Sequence, residues 1–465
     1  MKKALIKELM NILWSKYEYA SILFNDSEGM LFSVSGKGVE ASENKRFCEH
    51  GYVIKAYKEG KYVEYSFNNF EREYFDEIIN KIEELFAVKD KFSAKIGMNS
   101  YPKMEDEKLC FEFNADYENS PSEVSEDFVI RKLSDIRQKG LSQDERIFDC
   151  SVRSQYQLYT KYFLSPNKEM SQKILWMSAH LFMMAKKNGV VKSFYKAYSN
   201  KNGMAVLDEV EKDLAETAAA TIELLDAKTI TLGEYECICT PNVTGMIVHE
   251  AFGHGVEMDM FVKDRALAKD YIGKRVASDL VTMHDGAKAA DEVASYEFDD
   301  EGVAATDTVI IENGILKTGI CDSLAALSLN IPPTGNGRRE SYERKAYTRM
   351  TNTFFEGGKD SLEDMIASIE DGYLLDDATC GMEDPKNWGI QCMVNIARKI
   401  EHGKLTGEVF SPIVLSGYVP DLLKSISMMT PDVRLCGSGF CGKGYKEFVK
   451  VSDGGPYIKA RVKLG

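Results

Sequence analysis

Surplus positive charge and long apolar runs are both missing from this sequence. Its 58 Lys and Arg residues are outnumbered by 73 Asp and Glu residues, which gives a formal net charge of −15. Because a nucleic-acid surface needs a basic face, we expect no nucleic-acid partner. No stretch approaches the roughly 18 apolar residues of a membrane-spanning helix, so we expect no membrane partner. Lys7 and Glu8 interrupt the apolar start of the chain, which argues against a signal peptide.

The cysteines do not form the dense pattern of a disulfide-rich secreted domain. Ten of them are spread irregularly over 465 residues. We therefore expect a cytoplasmic protein with mostly free thiols, which can serve as metal ligands. With 44% hydrophobic and 28% charged residues, the composition is that of an ordinary globular protein of two or three domains.

The element patterns predict an α+β fold in three parts. The first half shows a hairpin turn at 58–61, an antiparallel meander over 146–198 and one long helix over 204–227. A polar stretch at 100–122 marks a boundary. The predicted parts are an N-terminal α/β subdomain, a second α+β subdomain and a C-terminal domain, at 1–105, 106–228 and 229–465.

The C-terminal part opens with a predicted strand, "TITLGEYECICT" (229–240). Thr240 then suits a helix N-cap and Pro241 suits the first helical position, so a helix is expected to begin there. Further along, Asn313 and Gly314 predict the turn of a hairpin.

Histidine is scarce, with six residues, yet two of them fall in one string on this helix, "MIVHEAFGHGVEMDMF" (246–261). Many zinc proteases carry a His-Glu pair with a second His four residues after the first. Here His254 comes five residues after His249, and such positions on a regular helix diverge by roughly 140°. A π-type turn would bring them back to one face, and the glycines around His254 allow it. We predict such a turn near Phe252-Gly253; the alternative is two histidines with unrelated structural roles.

A catalytic zinc site needs three protein ligands and an open position. Cys441, in "GFCGKG", is the strongest candidate for the third ligand, because its glycines permit close approach and Lys443 favours a thiolate. Cys436 is a weaker rival. Glu257 and Asp259 could also ligate, but Glu257 is better suited to orient a ligating histidine.

These residues predict a chemistry. Zinc held by His249, His254 and Cys441 would acidify a water molecule and polarise a peptide carbonyl. Glu250, next to a ligand in the sequence, would take the proton of that water and return it to the leaving amine. The residues therefore predict a zinc peptidase.

Long segments of the sequence resemble the TldD/PmbA (TldD/TldE) metalloprotease family, also labelled modulator of DNA gyrase. The segments are "HEAFGHGVEMD", "YEFDDEGVAATDTVIIENGILK", "TGNGRRESYERKAYTRMTNTFFEGG" and "CGKGYKEFVKVSDGGP". TldD-like members carry the His-Glu-x-x-x-His string and TldE-like members lack it, so this chain is similar to the TldD side. The resemblance implies zinc ligands at His249, His254 and Cys441 and a catalytic base at Glu250. It also makes 229–465 the catalytic metalloprotease domain.

The resemblance also implies a fold and partners. The family has an N-terminal α/β portion and a C-terminal portion dominated by a curved, barrel-like antiparallel sheet, with the histidine-bearing helix lining an enclosed site. Its members are cytoplasmic dimers, either homodimers or a TldD-like chain with a TldE/PmbA-like chain. Their substrates are unfolded or small peptides and proteins, bound in extended form with little sequence preference. Backbone pairing with a strand suits such indifference to sequence.

The chain departs from the family at one point. A Gln is expected soon after the Cys-Gly-Lys triplet, and the chain has Gly444-Tyr445-Lys446-Glu447 instead. This departure leaves substrate preference and choice of partner open. Further residues expected to orient ligands or line the substrate channel are Glu257, Gly253, Arg349, Asn352 and Gly442.

Three other motifs have structural interpretations. "DDEG" (299–302) is interpreted as solvated acidic turn residues rather than a second metal site. "TGNGRR" does not follow the pattern of a phosphate-binding loop. Arg338, Arg339 and Arg349 are interpreted as ion-pair partners, with a place in the substrate channel as the alternative. His284 stands alone in a polar segment and is predicted to lie on the surface.

Two alternatives to a zinc peptidase stay open. The chain could be a non-catalytic or scaffold subunit that supports a homologous peptidase, as the division of labour in the family and the residues after Cys441 suggest. It could also be a cysteine hydrolase that uses Cys441 with His249 or His254. Resistance to chelators together with sensitivity to thiol reagents would favour the hydrolase.

Overall fold

The structure, a computed structural model, describes residues 2–44, 48–96, 100–116, 123–444 and 446–465. The α-helices in these ranges are α1 Lys3–Lys16, α2 Phe75–Ile96, α3 Glu126–Leu141, α4 Val206–Lys212, α5 Leu214–Glu223, α6 Pro241–Val248, α7 Asp259–Val262, α8 Ser323–Leu329, α9 Leu362–Ala367 and α10 Val419–Lys424. None of the helices in the described ranges combines the length and the apolar character needed to cross a membrane.

The strands fall into an N-terminal and a C-terminal group. The N-terminal strands are β1 Tyr19–Glu28, β2 Met30–Ser35, β3 Gly38–Glu43, β4 His50–Lys58, β5 Lys61–Phe67, β6 Leu109–Asn114, β7 Ile147–Leu164, β8 Lys168–Lys187 and β9 Val190–Asn200. The C-terminal strands are β10 Gly233–Cys239, β11 Met283–Asp285, β12 Thr308–Glu312, β13 Ile315–Leu316, β14 Gly337–Arg338, β15 Tyr347–Thr348, β16 Asn352–Phe355, β17 Asp371–Asp384, β18 Gly389–Glu401, β19 Lys404–Phe410, β20 Ile413–Tyr418, β21 Met428–Met429, β22 Arg434–Cys436, β23 Phe440–Lys443, β24 Lys446–Lys450, β25 Ser452–Gly455 and β26 Ile458–Leu464.

One nine-stranded sheet organises the N-terminal half. Its order is β3-β2-β7-β1-β4-β5, and β8 continues it from β7 towards β9 and β6. The predicted hairpin at 58–61 is confirmed, with left-handed backbone at Glu59 and Gly60. The predicted meander over 146–198 is confirmed as β7, β8 and β9. The sheet takes strands from both predicted N-terminal subdomains. Their helices cover it as two clusters, α1 with α2 and α3 with α4 and α5.

The prediction of one continuous helix over 204–227 is wrong. The helix breaks at Asp213, between α4 and α5. Backbone angles of φ −92° and ψ 5° at Asp213 end the helical path there. The Asp213 carboxylate lies 3.2 Å from the Tyr198 hydroxyl and 2.7 Å from Lys196 Nζ. These contacts with β9 fasten the bend to the sheet.

A closed five-stranded barrel organises the C-terminal half, as the family resemblance implied. The strands follow the order β10-β17-β18-β20-β26, and β26 pairs back onto β10. Most neighbours are antiparallel, but β10 and β17 are parallel, because a long crossover of 240–370 separates them. A second sheet, with the order β13-β12-β11-β16-β25-β22, lies beside the barrel. The helix α6 packs against β17 of the barrel and against β16, β22 and β25 of this second sheet.

Candidate metal centre

The helix α6 delivers the two histidines through an irregular turn. Thr240 and Pro241 take the predicted N-cap and first helical positions. Residues His249–Gly253 then form a π turn, followed by a 3₁₀ turn at His254–Val256. The predicted π-type turn is therefore confirmed. Its extra residue brings the two imidazole rings together, with centroids 5.2 Å apart and ring planes at 87°. Met350 packs closely on this turn, since a Cβ at Gly253 would lie 2.1 Å from Met350 Sδ.

Cys441 lies on β23 and completes a set of three donors. Its Sγ is 3.1 Å from His249 Nε2 and 3.3 Å from His254 Nε2. The ligand atoms of the three residues lie within 4.8 Å of one another. Tetrahedral zinc with normal bond lengths separates a nitrogen and a sulfur ligand by about 3.6 Å. The residue types and their spacing therefore fit a zinc ion, with a small outward shift of the thiol. We call these three residues and the side chains that contact them the candidate metal centre.

Carboxylates stand behind both histidines. His254 Nδ1 is 3.4 Å from Glu257 Oε2, so Glu257 takes the orienting position that the sequence predicted. His249 Nδ1 is 3.6 Å from Asp453 Oδ2. Sequence reasoning did not single out Asp453, although it lies in the quoted "VSDGGP" segment. Since β25 carries Asp453 past α6, only the packing of these elements reveals the contact.

A buried arginine reaches the thiol from the other side. Arg349 is fully buried, and its Nη2 lies 2.9 Å from Cys441 Sγ. Its Nε bonds Glu257 Oε1 at 3.1 Å, and its Nη1 donates to the Glu447 carbonyl. Lys443, expected to favour the thiolate, instead pairs with Glu257 and Asp259 at 3.1 and 2.6 Å. The guanidinium of Arg349 therefore takes the role expected of Lys443.

The charges of the three donors support one another. Burial alone would raise the pKa of the Cys441 thiol, but the two imidazoles hold it well below its usual range. Burial alone would lower the pKa of His249, but the Cys441 thiolate and Asp453 raise it to about 9. These pKa shifts favour a thiolate beside protonated imidazoles when no metal is bound. Such a cluster must release protons to bind zinc.

Glu250 follows a ligand on the π turn and is buried. Burial raises the pKa of its carboxyl, while the two histidines oppose the rise. The strand β17 packs on its stem, since a Cβ at Gly381 would lie 2.4 Å from Glu250 Cγ. The side chain is thereby packed beside the donor set, and its carboxyl feels the charges of His249, His254 and Cys441.

Asn352 and Gly442, also expected near the site, have contacts that support the local fold. Asn352 donates from Nδ2 to Gly286 O, Ala290 O and Ser295 Oγ, all at 3.0 to 3.2 Å, so its amide holds a loop. Gly442 is packed tightly, since a Cβ there would lie 2.9 Å from Phe448. Tyr445, in the segment that departs from the family, lies outside the described residues.

The interpretation of "DDEG" as solvated turn residues is wrong. Asp299, Asp300 and Glu301 are 2%, 6% and 8% exposed. Lys161 of β7 pairs with Asp300, and Lys55 of β4 pairs with Glu301. These three acids, which we call the acidic corner, therefore join the C-terminal half to the N-terminal sheet.

The structure also tests the predictions for His284, Arg338 and Arg339. The prediction of a surface position for His284 is wrong, because it is buried on β11 between Asp307 and Glu356. The structural interpretation of Arg339 is confirmed by its pairing with Glu64. Arg338 donates to the carbonyl of Met350 rather than to an acid.

A cavity of about 1070 Å³ opens behind the candidate metal centre. It lies between α5, β9 and one end of the barrel, and Asp453 and the first residues of α6 form part of its wall. Charged groups of both signs line it, among them Asp377, Arg398 and Arg434. Asp453 therefore separates this space from His249.

Comparisons with known proteins agree with the geometry. The family model of the PmbA/TldA metallopeptidase C-terminal domain matches residues 232–463. A metalloprotease of Methanocaldococcus jannaschii is 29% identical over 446 residues, which cover 95% of this chain and 96% of the relative. A zinc metalloprotease TldD homolog of Saccharolobus solfataricus is 31% identical over 312 residues, covering 66% of this chain and 69% of the relative.

Solved structures show the same fold over the whole chain. TldE from Thermococcus kodakarensis superimposes with a TM-score of 0.78 at 19% identity, covering 99% of this chain and 100% of that chain. A protein of Thermotoga maritima described as a modulator of a DNA gyrase gives a TM-score of 0.77 at 18% identity, with 100% of both chains covered.

Proposed function

We propose that this chain, which belongs to the PmbA/TldD metallopeptidase family, is a zinc peptidase whose ligands are His249, His254 and Cys441 and whose base is Glu250. The observation that carries the proposal is the convergence of the three donor atoms within 4.8 Å beside a buried Glu250. The names of the relatives support a metalloprotease, and the His-His-Cys donor set supports zinc as the metal.

A zinc ion in this donor set would supply Lewis acidity towards a water molecule and towards the scissile carbonyl. The chain itself supplies the proton transfer. Glu250 takes a proton from the attacking water and passes it to the leaving amine. Glu257 and Asp453 hold the two imidazoles from behind, and Arg349 holds the thiolate, so the donors keep their directions while the substrate changes shape.

The strand β17 offers an edge to an extended peptide. It pairs with β10 only over Gly372–Leu375 and continues to Asp384 with β18 on one side. Within the described residues, no strand pairs with the other side of this extension, which passes over Glu250 at Gly381. Backbone pairing there would hold unfolded or small peptides with little dependence on their side chains. This supports a peptidase of low sequence specificity.

The similarity to TldE suggests a partner of the same fold. A dimer, either of two copies or with a TldE-like chain, would enclose the site between subunits. A scaffold role for this chain is the second candidate, favoured by the residues after Cys441. Co-purification separates the two: a scaffold would need the partner for activity and would keep that activity when His249 is replaced.

The direct test is cleavage of unfolded peptides by the purified chain, with and without a chelator, in the wild type and in Glu250→Gln. We expect chelation to stop cleavage, added zinc to restore it, and Glu250→Gln to lower kcat by about 10³-fold at unchanged zinc content. Chelator-resistant cleavage that a thiol reagent stops would instead support the cysteine hydrolase. Full activity of Glu250→Gln would contradict the assigned base.

A further inference from the structure

Glu383 is a carboxylate beside the candidate metal centre that is neither one of the three ligands nor the proposed base. It lies on β17 two residues after Gly381, so both face the π turn, whereas Met382 between them is 67% exposed on the outer face. A Cβ at Gly255 would lie 2.7 Å from Glu383 Oε1. The carboxylate therefore rests against the residue that follows His254.

Both carboxylate oxygens of Glu383 are shielded from solvent, and neither has a hydrogen-bond partner within the described parts of the chain. Among the charges that act on it, His254 has the largest effect and favours the ionised form, whereas Glu250, Glu257 and Asp384 oppose ionisation. Glu257, by comparison, is paired with Arg349 and Lys443 and also faces His254 Nδ1. Burial raises the pKa of Glu383 well above its usual range. A buried carboxylate without partners is strongly unfavourable, and a positively charged group from outside the chain would supply the partner that both oxygens lack.

We propose that Glu383 binds a positively charged group of the peptide substrate, either its N-terminal ammonium or a Lys or Arg side chain, next to the scissile bond. The proposal rests on the peptidase function above. An ammonium carries three donors and a guanidinium five, so either can satisfy both oxygens of one carboxylate. Glu250 then stays free for proton transfer. The two carboxylates of the site thus have separate tasks, one in chemistry and one in substrate selection.

The position of Glu383 on β17 agrees with this task. The same strand offers its edge to the substrate backbone, so a side chain on its inner face meets the groups nearest to the cleaved bond. A second metal ion is a poorer occupant, because the donor atoms found close together in the described residues are those of His249, His254 and Cys441.

The test measures equilibrium binding of labelled peptides to zinc-loaded Glu250→Gln, which binds without cleaving, and to Glu250→Gln combined with Glu383→Gln. One peptide is acetylated, amidated and neutral. The second has a free N-terminus, and a third set carries one Lys moved along the acetylated chain, with norleucine at each position as the neutral match. We expect one type of cationic peptide, with either the free N-terminus or the Lys, to bind at least about tenfold more tightly than its neutral match. Glu383→Gln should remove that difference. The type of peptide that binds more tightly identifies whether the cation is the N-terminal ammonium or a side chain.

Asp384→Asn is the matched control, because it removes a neighbouring negative charge whose carboxylate bonds Asn387 Nδ2 and Lys386 N on the outer side of the hairpin. It should keep the preference for cationic peptides. Equal binding of charged and neutral peptides, or a preference that survives Glu383→Gln, would overturn the proposal. So would two zinc ions per chain that fall to one in Glu383→Gln.

Cleavage assays keep this result separate from the peptidase proposal. A wild type that cleaves peptides with zinc but shows no preference in the binding measurement overturns the role of Glu383 alone. A wild type that cleaves none of the peptides contradicts the peptidase function, and the binding difference still decides whether Glu383 recognises cations.

Discussion

The candidate metal centre and the acidic corner are both buried clusters of charge, yet they differ in how completely their atoms are paired. In the acidic corner all six carboxylate oxygens have partners: Lys55, Lys161 and the backbone N–H groups of Glu301, Val303, Ser323, Gly337 and Arg339. Beside the candidate metal centre, both oxygens of Glu383 have no hydrogen-bond partner among the described residues, and His249 Nδ1 faces Asp453 Oδ2 only at 3.6 Å, beyond hydrogen-bond length. The paired charges of the acidic corner hold two halves of the protein together, whereas the less complete pairing at the candidate metal centre leaves groups that a ligand could satisfy.

Removing the Cys441 thiol should have the largest effect on zinc content and cleavage, because it removes one of the three proposed ligands of the candidate metal centre. We expect Cys441→Ala to lower bound zinc from about one per chain to nearly none, with cleavage lost. Cys436→Ala is the matched control, since Cys436 Sγ lies 3.6 Å from Ser438 Oγ and 3.7 Å from Ala197 O, away from the histidines. Elemental analysis after dialysis measures the difference. Full zinc content in Cys441→Ala would show that the thiol is not a ligand.

Breaking the acidic corner should cost stability and leave zinc in place. Lys55→Met leaves the buried Glu301 carboxylate without its cation, and we expect a loss of about 3–5 kcal/mol in the free energy of unfolding. Lys317→Met, at the half-exposed pair with Glu312, should change it by about 0–1 kcal/mol. Denaturant titration gives both values, and zinc content is measured alongside. A loss of zinc in folded Lys55→Met would show that the two clusters are not independent.

Replacing Asp453 tests whether the carboxylate behind His249 contributes to zinc affinity. We expect Asp453→Asn to weaken zinc binding about 10–100-fold, because His249 loses the carboxylate that orients its ring. Competition with a fluorescent chelator measures the affinity. Asp421→Asn, an exposed acid on α10, should bind zinc like the wild type. Equal affinities for the two variants would remove Asp453 from the centre.

His284 is buried between two half-exposed acids, and its replacement should have the smallest effect. Burial alone would lower its pKa, but Asp307 and Glu356 raise it above the usual value. Protonated His284 therefore stabilises the fold below its unfolded pKa of about 6.5, and this contribution is lost as pH rises through the raised folded pKa. Since both acids are half-exposed, we expect less than about 1 kcal/mol.

The measurement for His284 is the unfolding free energy of His284→Gln against the wild type at about pH 6, below the unfolded pKa, and at steps of increasing pH above it. The variant should be the less stable of the two at the lowest pH and should approach the wild type as the pH rises. A difference that grows with pH would contradict the sign.

The sequence predicted which residues converge at the candidate metal centre better than it predicted their supporting residues, for a physical reason. His249, Glu250 and His254 are local, and their five-residue spacing conflicts with a regular helix, so the π turn could be inferred from the chain itself. Cys441 was found because glycines surround it and through the family resemblance. Burial of an acid depends on partners from elsewhere in the chain. Glu301 meets Lys55 across 246 positions, and no local pattern around "DDEG" contains that information.

Asp453, Glu383 and His284 were missed for the same reason. Each lies on a strand whose neighbour is set by sheet order, which periodicity does not give. The break at Asp213 was also missed, because the Ala-, Leu- and Glu-rich stretch around it favours helix locally while the contacts with Lys196 and Tyr198 favour a bend. The hydrophobic pattern of the sequence predicted where helices and strands occur. The burial of charged side chains and their ion-pair partners could be seen only in the folded structure.

The separation of 192 positions between His249 and Cys441 has a consequence during synthesis. At about 5–20 residues per second, the ribosome adds Cys441 to the chain roughly 10–40 s after it adds His249. Throughout that interval the nascent chain holds Glu250 and two of the three donors, but not the complete set. The strand β26 that closes the barrel emerges later still. For the peptidase proposed above, the segments of the emerging chain are therefore unfolded at a stage when its own site is still incomplete.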